Sequence, residues 1–357
     1  MIDSNAILEI YKNNLIHNYQ LLLKIANRSV GAATIKADAY GLGNIEVFKI
    51  FHKEGCNHFF LATTEEGIKI RKINKKVNLY ILNGLEGNNL DIFNKYDLIP
   101  ILISKDEINV LIKSKYFKTN FKFGIHVETG LNRLGVNSED LKNKLIKKLN
   151  LEILISHLAS SDELRNKYNH IQNLNFIKTF KFFKSIKYKS LCSSYGIMNN
   201  KNLHHNMIRP GIFLYGGCDN TNLSNKFKIK SVIILKGKIL QIKKINKNEY
   251  IGYNQTYKTK KKIKVAIVGI GYADGISRLL SNRGKLFYKK DSYNIVGRVS
   301  MDSITVDITK SKYVIKCGQY MDIINEKNNI GKIAKKIKTN SNEILTSISK
   351  RVKRVYI

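Results

Sequence analysis

The chain has 357 residues, enough for one large core or for a barrel of roughly 250 residues with a smaller domain beside it. Its 62 Lys+Arg stand against 27 Asp+Glu, a formal net charge of +35. That balance alone suits a nucleic-acid binder. The lysines, however, are scattered through every segment beside many Asn and Ile, with only short clusters such as Lys258–Lys264. No zinc-finger spacing, aromatic–basic RNA motif or basic arm accompanies them, so no specific nucleic-acid partner is expected. Cys56, Cys192, Cys218 and Cys317 make no CxxC pair, which indicates neither a zinc site nor a disulfide framework. The first residues lack a basic stretch followed by an apolar core, unlike a signal peptide. No apolar run approaches the ~20 residues of a membrane span. A soluble, cytoplasmic protein without membrane contact is the expectation.

In chain order, Ala6–Tyr11 reads as a strand. Eight short apolar runs follow: Val30–Ile35, His58–Ala62, Leu79–Leu82, Leu98–Ile103, Lys122–Val127, Glu152–His157, Ser190–Ser194 and Met207–Tyr215. Between them, Asn44–Lys53, Glu65–Ile73, Asp106–Lys113, Glu139–Leu149 and Asn169–Ile186 show helical periodicity. Strands alternating with helices predict a (β/α)8 barrel of the TIM type. After about residue 225 the rhythm changes. Ser231–Ile242, Lys264–Gly271, Tyr293–Asp307 and Tyr320–Ile324 are β-branched runs, and only Ile330–Ile337 and Asn342–Lys350 look helical. The expected division is a barrel over residues 1–225 and a mainly β domain over 226–357, with residues 1–11 as a candidate strand of the second.

Residues at the carboxyl ends of barrel strands share one mouth, where phosphate commonly binds near the last two strands. Here those ends carry Lys36 with Tyr40, Glu128 with Arg133, His157, Ser194, and Arg209 with Gly211. A lysine leaving a buried strand is poorly solvated, which lowers its pKa and frees the amine for Schiff-base chemistry. Ser194 and the backbone N–H groups of Gly211 and Ile212 can hold a phosphate. Arg209 can address a ring nitrogen, and His157 can order the hydrogen bonds. The set suits pyridoxal phosphate. Taken singly, each residue has a plainer reading: Lys36 as a strand cap, His157 as a core histidine, Ser193-Ser194 as a turn, Arg209-Pro-Gly211 as a strand end. Gly269-Ile-Gly271 lacks the third glycine of a dinucleotide loop and is set aside.

The motifs Ile35-Lys-Ala-Asp-Ala-Tyr-Gly41, Val127-Glu-Thr-Gly-Leu-Asn-Arg-Leu-Gly135, Arg209-Pro-Gly-Ile-Phe-Leu-Tyr-Gly216, Ile251-Gly-Tyr253, Gly271-Tyr-Ala-Asp-Gly275 and Val296-Gly-Arg-Val-Ser-Met-Asp302 run in order along the whole chain. In that order the chain closely resembles the alanine racemase family, barrel-type pyridoxal phosphate enzymes with a carboxyl-terminal β domain. The resemblance implies a racemase of L- and D-alanine that supplies D-alanine to peptidoglycan. It implies Lys36 and Tyr253 as the two catalytic bases, the tyrosine coming from the partner subunit of a homodimer with shared active sites. Tyr40, Ser194, Gly211 and Ile212 would hold the cofactor phosphate, Arg209 would face the pyridine nitrogen, and His157 would stand behind Tyr253. Arg133 would support the substrate carboxylate, and Tyr272 and Met301 of the partner subunit would line the way in. A related racemase of another small amino acid such as serine, and a non-catalytic pyridoxal phosphate carrier, remain as alternatives. The carrier would have no use for Tyr253 and Tyr272. Two positions depart from the family. His126 stands where members often have a lysine, carbamylated in several, and Lys350 stands where some have a phosphate-binding tyrosine.

Overall fold

The computed structural model describes residues 4–87 and 89–357. The chain forms two compact units, one of Ile16–Leu214 and one of Tyr215–Ile357 with the residues up to Leu15.

In the first unit, Ala33–Thr34, His58–Leu61, Asn78–Ile81, Ile99–Leu102, Gly124–His126, Asn150–Ile155 and Ser185–Ser190 form a parallel seven-stranded sheet in sequence order. Val30–Gly31, the start of the first strand, pairs in parallel with Met207–Ile208, the eighth. Between the seventh and eighth strands the Asn206 side chain replaces a ladder. It accepts from the Lys189 N–H at 2.6 Å and donates to the Lys187 carbonyl at 2.8 Å. The Arg209 N–H adds a bond to the Cys192 carbonyl at 3.2 Å, and the ring is complete. Its interior holds Ala32, Phe60, Tyr80, Ile99, Ile101, Ile153, Ile155 and Met207, with Phe60 and Tyr80 stacked 4.6 Å apart. Bulky apolar side chains dominate there, as filling an eight-stranded barrel requires.

Two expectations are corrected. The seventh strand is Ser185–Ser190, not Ser190–Ser194. Its apolar residues Ile186 and Tyr188 continue the helical spacing of the preceding run, whereas the helix itself ends at Lys178. The segment 139–149 contains only the short 3-10 turns Asp140–Lys142 and Ile146–Lys148. Asn143 accepts from the N–H of Leu145 at 2.9 Å, and such local side-chain bonding interrupts a helix.

In the second unit the sheet order is Asp291–Asn294, Lys285–Tyr288, Tyr320–Ile324, Ile233–Ile245, Ala6–Ile10, Lys353–Tyr356. The 13-residue strand Ile233–Ile245 bends at a register shift between Ile239 and Gln241. Its far half pairs with Ile263–Val268, which pairs in turn with Ile304–Asp307. The run Tyr293–Asp307 thus splits in two, around Gly297 with φ 81°. Ile330, Ile333, Ala334 and Ile337 are the buried face of the helix Ile330–Ile337. Among the described residues no helix is long and apolar enough to cross a membrane, and no His/Cys/Asp/Glu group could hold a metal ion. Among the described residues the cysteines form no disulfide.

Candidate active site

Lys36 follows the first barrel strand by two residues and opens a left-handed turn. Ala37, Asp38, Ala39 and Tyr40 have φ of 53°, 55°, 53° and 57°. None is glycine, and each L-residue held there costs roughly 1–2 kcal/mol, so the surroundings must fix the turn. Glu66 does much of this. One carboxylate oxygen accepts from the N–H groups of Ala37 and Asp38 at 2.7 and 3.4 Å, the other from those of Ala62 and Thr63 at 2.8 and 3.5 Å. Asp38 in turn accepts from the Asn44 N–H at 2.8 Å. Burial lowers the pKa of the Lys36 amine, and Arg133 and Arg209 push it the same way, against a smaller opposing pull from Glu66.

The turn brings Tyr40 against Gly211. A Cβ on Gly211 would lie 2.4 Å from the Tyr40 hydroxyl oxygen, so glycine is required for this approach. Burial raises the pKa of Tyr40 and keeps it a neutral donor. Buried Ser194 begins the helix Ser194–Asn199, and its hydroxyl accepts from the N–H groups of Gly211 and Phe213 at 2.9 and 3.2 Å. Ile212 opens the next 3-10 turn. Tyr40, Ser194, Gly211 and Ile212, named singly from the sequence, are therefore neighbours.

Arg209, 6% exposed, leaves the eighth strand and donates to the carbonyls of Ser156 and Leu191. Its guanidinium lies 5.6 Å from the Phe60 ring centroid. Burial lowers its pKa to about 10, which leaves it a cation at neutral pH. Its Nε is buried and has no hydrogen-bond partner. An orphaned donor of this kind needs an acceptor, and a pyridine nitrogen would be one. The tight cradle at Gly211 and the orphaned Nε of Arg209 both fit pyridoxal phosphate.

His157 lies two residues past the sixth strand. Burial, then Arg209, Arg133, His126 and Lys36, hold its pKa well below the usual value, so the ring is neutral. His126 is neutral as well. Burial and Arg209 lower its pKa to about 3, with Glu128 opposing and Arg133 assisting. Arg133 itself is exposed. Glu128 orients the Arg133 loop through the backbone. Burial opposes its ionisation, but the N–H groups of Gly130, Asn132, Leu131 and Arg133 hold its carboxyl below the usual range.

Tyr253, Tyr272 and Met301 belong to the other unit and are exposed there. Tyr253 sits on a short turn in which Gly252, Asn254 and Gln255 all have positive φ. Arg298 donates to the Asn254 side chain at 2.8 Å. The segments bearing Tyr272 and Met301 are stapled together: the N–H groups of Tyr272 and Ala273 donate to the carbonyls of Ser300 and Met301 at 3.0 Å each. Asp274, 3% exposed, accepts from the Gly271 N–H at 2.8 Å and from Arg351 at 2.6 Å. Arg351 reaches Asp302 at 2.6 Å with its other arm.

Glu66, Asp274 and Arg351 escaped the sequence reading. Glu66 had a signal, since Thr63-x-x-Glu66 spells a capping box. Arg351 had none, because its two acceptors lie 77 and 49 residues away.

A lysine of lowered pKa, an anion cradle and a buried arginine with an orphaned donor, gathered at the carboxyl ends of a parallel barrel, define a barrel-type pyridoxal phosphate enzyme. Two family models match the chain in succession: "Alanine racemase, N-terminal domain" over residues 10–219 and "Alanine racemase, C-terminal domain" over residues 232–356. The alanine racemase of Rickettsia canadensis (strain McKiel) is 39% identical over 350 residues, covering 95% of this chain and 96% of that protein. That of Rickettsia akari (strain Hartford) is 38% identical over 360 residues, 98% of each. Among solved structures, alanine racemase from Bartonella henselae with covalently bound pyridoxal phosphate matches with a TM-score of 0.92 at 30% identity, covering 99% of this chain and 100% of that one. The chain belongs to the alanine racemase family.

Proposed function

We propose that the protein interconverts L- and D-alanine with pyridoxal phosphate carried on Lys36, in the cytoplasm, and supplies D-alanine for cell-wall peptide. The observation that carries this reading is the amine of lowered pKa beside a buried arginine whose Nε lacks a partner. Racemisation takes a proton from one face of an α-carbon and returns one to the other face. When bound, pyridoxal phosphate supplies the electron sink that makes the α-proton removable. The chain's residues do the rest. Lys36 serves one face as base and acid. Tyr253 of the partner subunit serves the other, in a homodimer with shared sites. Support for the dimer comes from Tyr253, 69% exposed in the single chain, on a turn braced from behind by Arg298.

Tyr40, Ser194 and the Gly211 and Ile212 amides hold the phosphate. Arg209, a cation at neutral pH, would face the ring nitrogen with its free Nε–H and oppose its protonation. Arg133 meets the substrate carboxylate. Tyr272 and Met301 of the partner subunit line the way in. The test follows the optical rotation of L-alanine with purified protein and added pyridoxal phosphate, with D-alanine assayed in the same solution. Rotation decaying to zero as D-alanine appears is the expected result. Unchanged rotation with the cofactor bound would reject alanine as the substrate.

A further inference from the structure

We infer that Glu66 is a positioning residue for the Lys36 amine and the Tyr40 hydroxyl, because its carboxylate locks the left-handed turn that carries both. The inference rests on the proposed role of Lys36 and extends it to a residue outside the cofactor's contacts. An ionised carboxylate is purely an acceptor, and this one takes N–H groups from two different loops. Ala37 and Asp38 follow the first strand, and Ala62 and Thr63 follow the second. Glu66 is itself fixed as the third residue of the helix Thr64–Ile73, where its N–H donates to the Thr63 hydroxyl at 3.3 Å. The helix thus transmits its rigidity to a backbone stretch that four non-glycine residues would otherwise abandon.

The same fold supplies an internal control. Glu107, near the start of the helix Lys105–Lys113, accepts from the N–H groups of Leu85 and Ile103 at 2.8 Å each. It clamps the loops after the third and fourth strands by the same chemistry, but touches no residue of the Lys36 turn. Glu66→Gln and Glu107→Gln therefore remove clamps of the same kind, the first on four loop N–H groups and the second on two. Each places an amide NH2 donor against backbone N–H groups.

Three measurements on the full chain separate them. Hydrogen exchange at the Ala37 and Asp38 amides should accelerate roughly 10- to 100-fold in Glu66→Gln, the effect of losing a charge-assisted hydrogen bond, and stay unchanged in Glu107→Gln. The dissociation constant for pyridoxal phosphate should rise about tenfold or more in the first variant only. In cofactor-free protein, the pH midpoint for acylation of Lys36 by a small activated ester should move up toward that of an ordinary lysine. Burial is the largest cause of its lowered pKa and Glu66 the smallest contributor, so loosening the turn outweighs losing the carboxylate charge. Should Glu66→Gln not fold, Glu66→Asp keeps the charge and withdraws it by one methylene, and the same readings apply. Equal responses in the two clamps, or an unmoved Lys36 midpoint in the Glu66 variant, would overturn the inference. Covalent attachment of the cofactor that survives Lys36→Ala would instead reject the role of Lys36, whatever the exchange data show.

Discussion

The Ser194 hydroxyl accepts the Gly211 N–H at 2.9 Å, tying the exit of the eighth strand to the start of the helix after the seventh. Ser194→Ala leaves the Gly211 and Phe213 amides without this acceptor, at a cost of about 1–3 kcal/mol for a buried unsatisfied donor. Weaker pyridoxal phosphate binding and a lower melting temperature are expected together. Cofactor titration and calorimetry on the same preparation check this. An unchanged dissociation constant would remove Ser194 from the phosphate site.

Gly211→Ala places a methyl 2.4 Å from the Tyr40 oxygen, while the next Tyr40 atom, Cζ, lies at 3.3 Å. The single variant should lose cofactor affinity. Adding Tyr40→Phe removes the clashing oxygen and should recover part of the steric loss, so the pair is non-additive. Losses that simply add would mean that the two residues do not meet.

Tyr253→Phe should abolish racemisation while cofactor binding persists. One base then remains, so the variant should still exchange the α-hydrogen of one alanine enantiomer with solvent deuterium and leave the other inert. NMR of each enantiomer in deuterated buffer reads this directly. Exchange of both, or of neither, would contradict the assignment of opposite faces to Lys36 and Tyr253.

Neutral His126 carries a pH signature. Its folded pKa of about 3 lies below the ordinary histidine value of 6.5, so below pH 6.5 the unfolded chain binds a proton that the folded chain refuses. Stability is then lost as pH falls through the window from 6.5 toward 3. At pH 5 the loss from this one residue is up to about 2 kcal/mol. Denaturant titrations of wild type and His126→Asn between pH 7 and 5 should show a shallower pH slope in the variant. Because a histidine cannot carry the carbamate found on lysine in several family members, racemase activity should also be indifferent to removal of bicarbonate.

The barrel was legible because Phe59, Phe60, Leu79, Ile81, Ile99 and Ile101 make compact apolar runs that only buried parallel strands explain. The seventh strand hid because Ile186 and Tyr188 fit a helical spacing as well as an alternating one. Asn143 hid in the same way, as a polar residue that cuts a helical pattern through its own side chain. At the candidate site, Lys36, Tyr40, Ser194, Arg209 and Gly211 could be named because their chemistry is unusual at strand ends. The path of the backbone between Lys36 and Tyr40 could not. Ala, Asp, Ala and Tyr all prefer right-handed conformations, and the clamp that reverses them comes from Glu66, 29 and 28 residues beyond the two N–H groups it holds.

The strand Ala6–Ile10 lies between Ile233–Ile245 and Lys353–Tyr356, with Ile7 opposite both Lys236 and Lys353. The strand Ala6–Ile10 is therefore made hundreds of residues before the strand that covers its second edge. The barrel can close while its own residues emerge, but Ala6–Ile10 must wait until Lys353–Tyr356 has been made for its second edge to be covered. Contacts so distant in sequence are slow to form, and an uncovered edge invites pairing with other chains. A chain that lacks Lys353–Tyr356 would leave that edge open, so termination before Lys353 should yield aggregates rather than active enzyme.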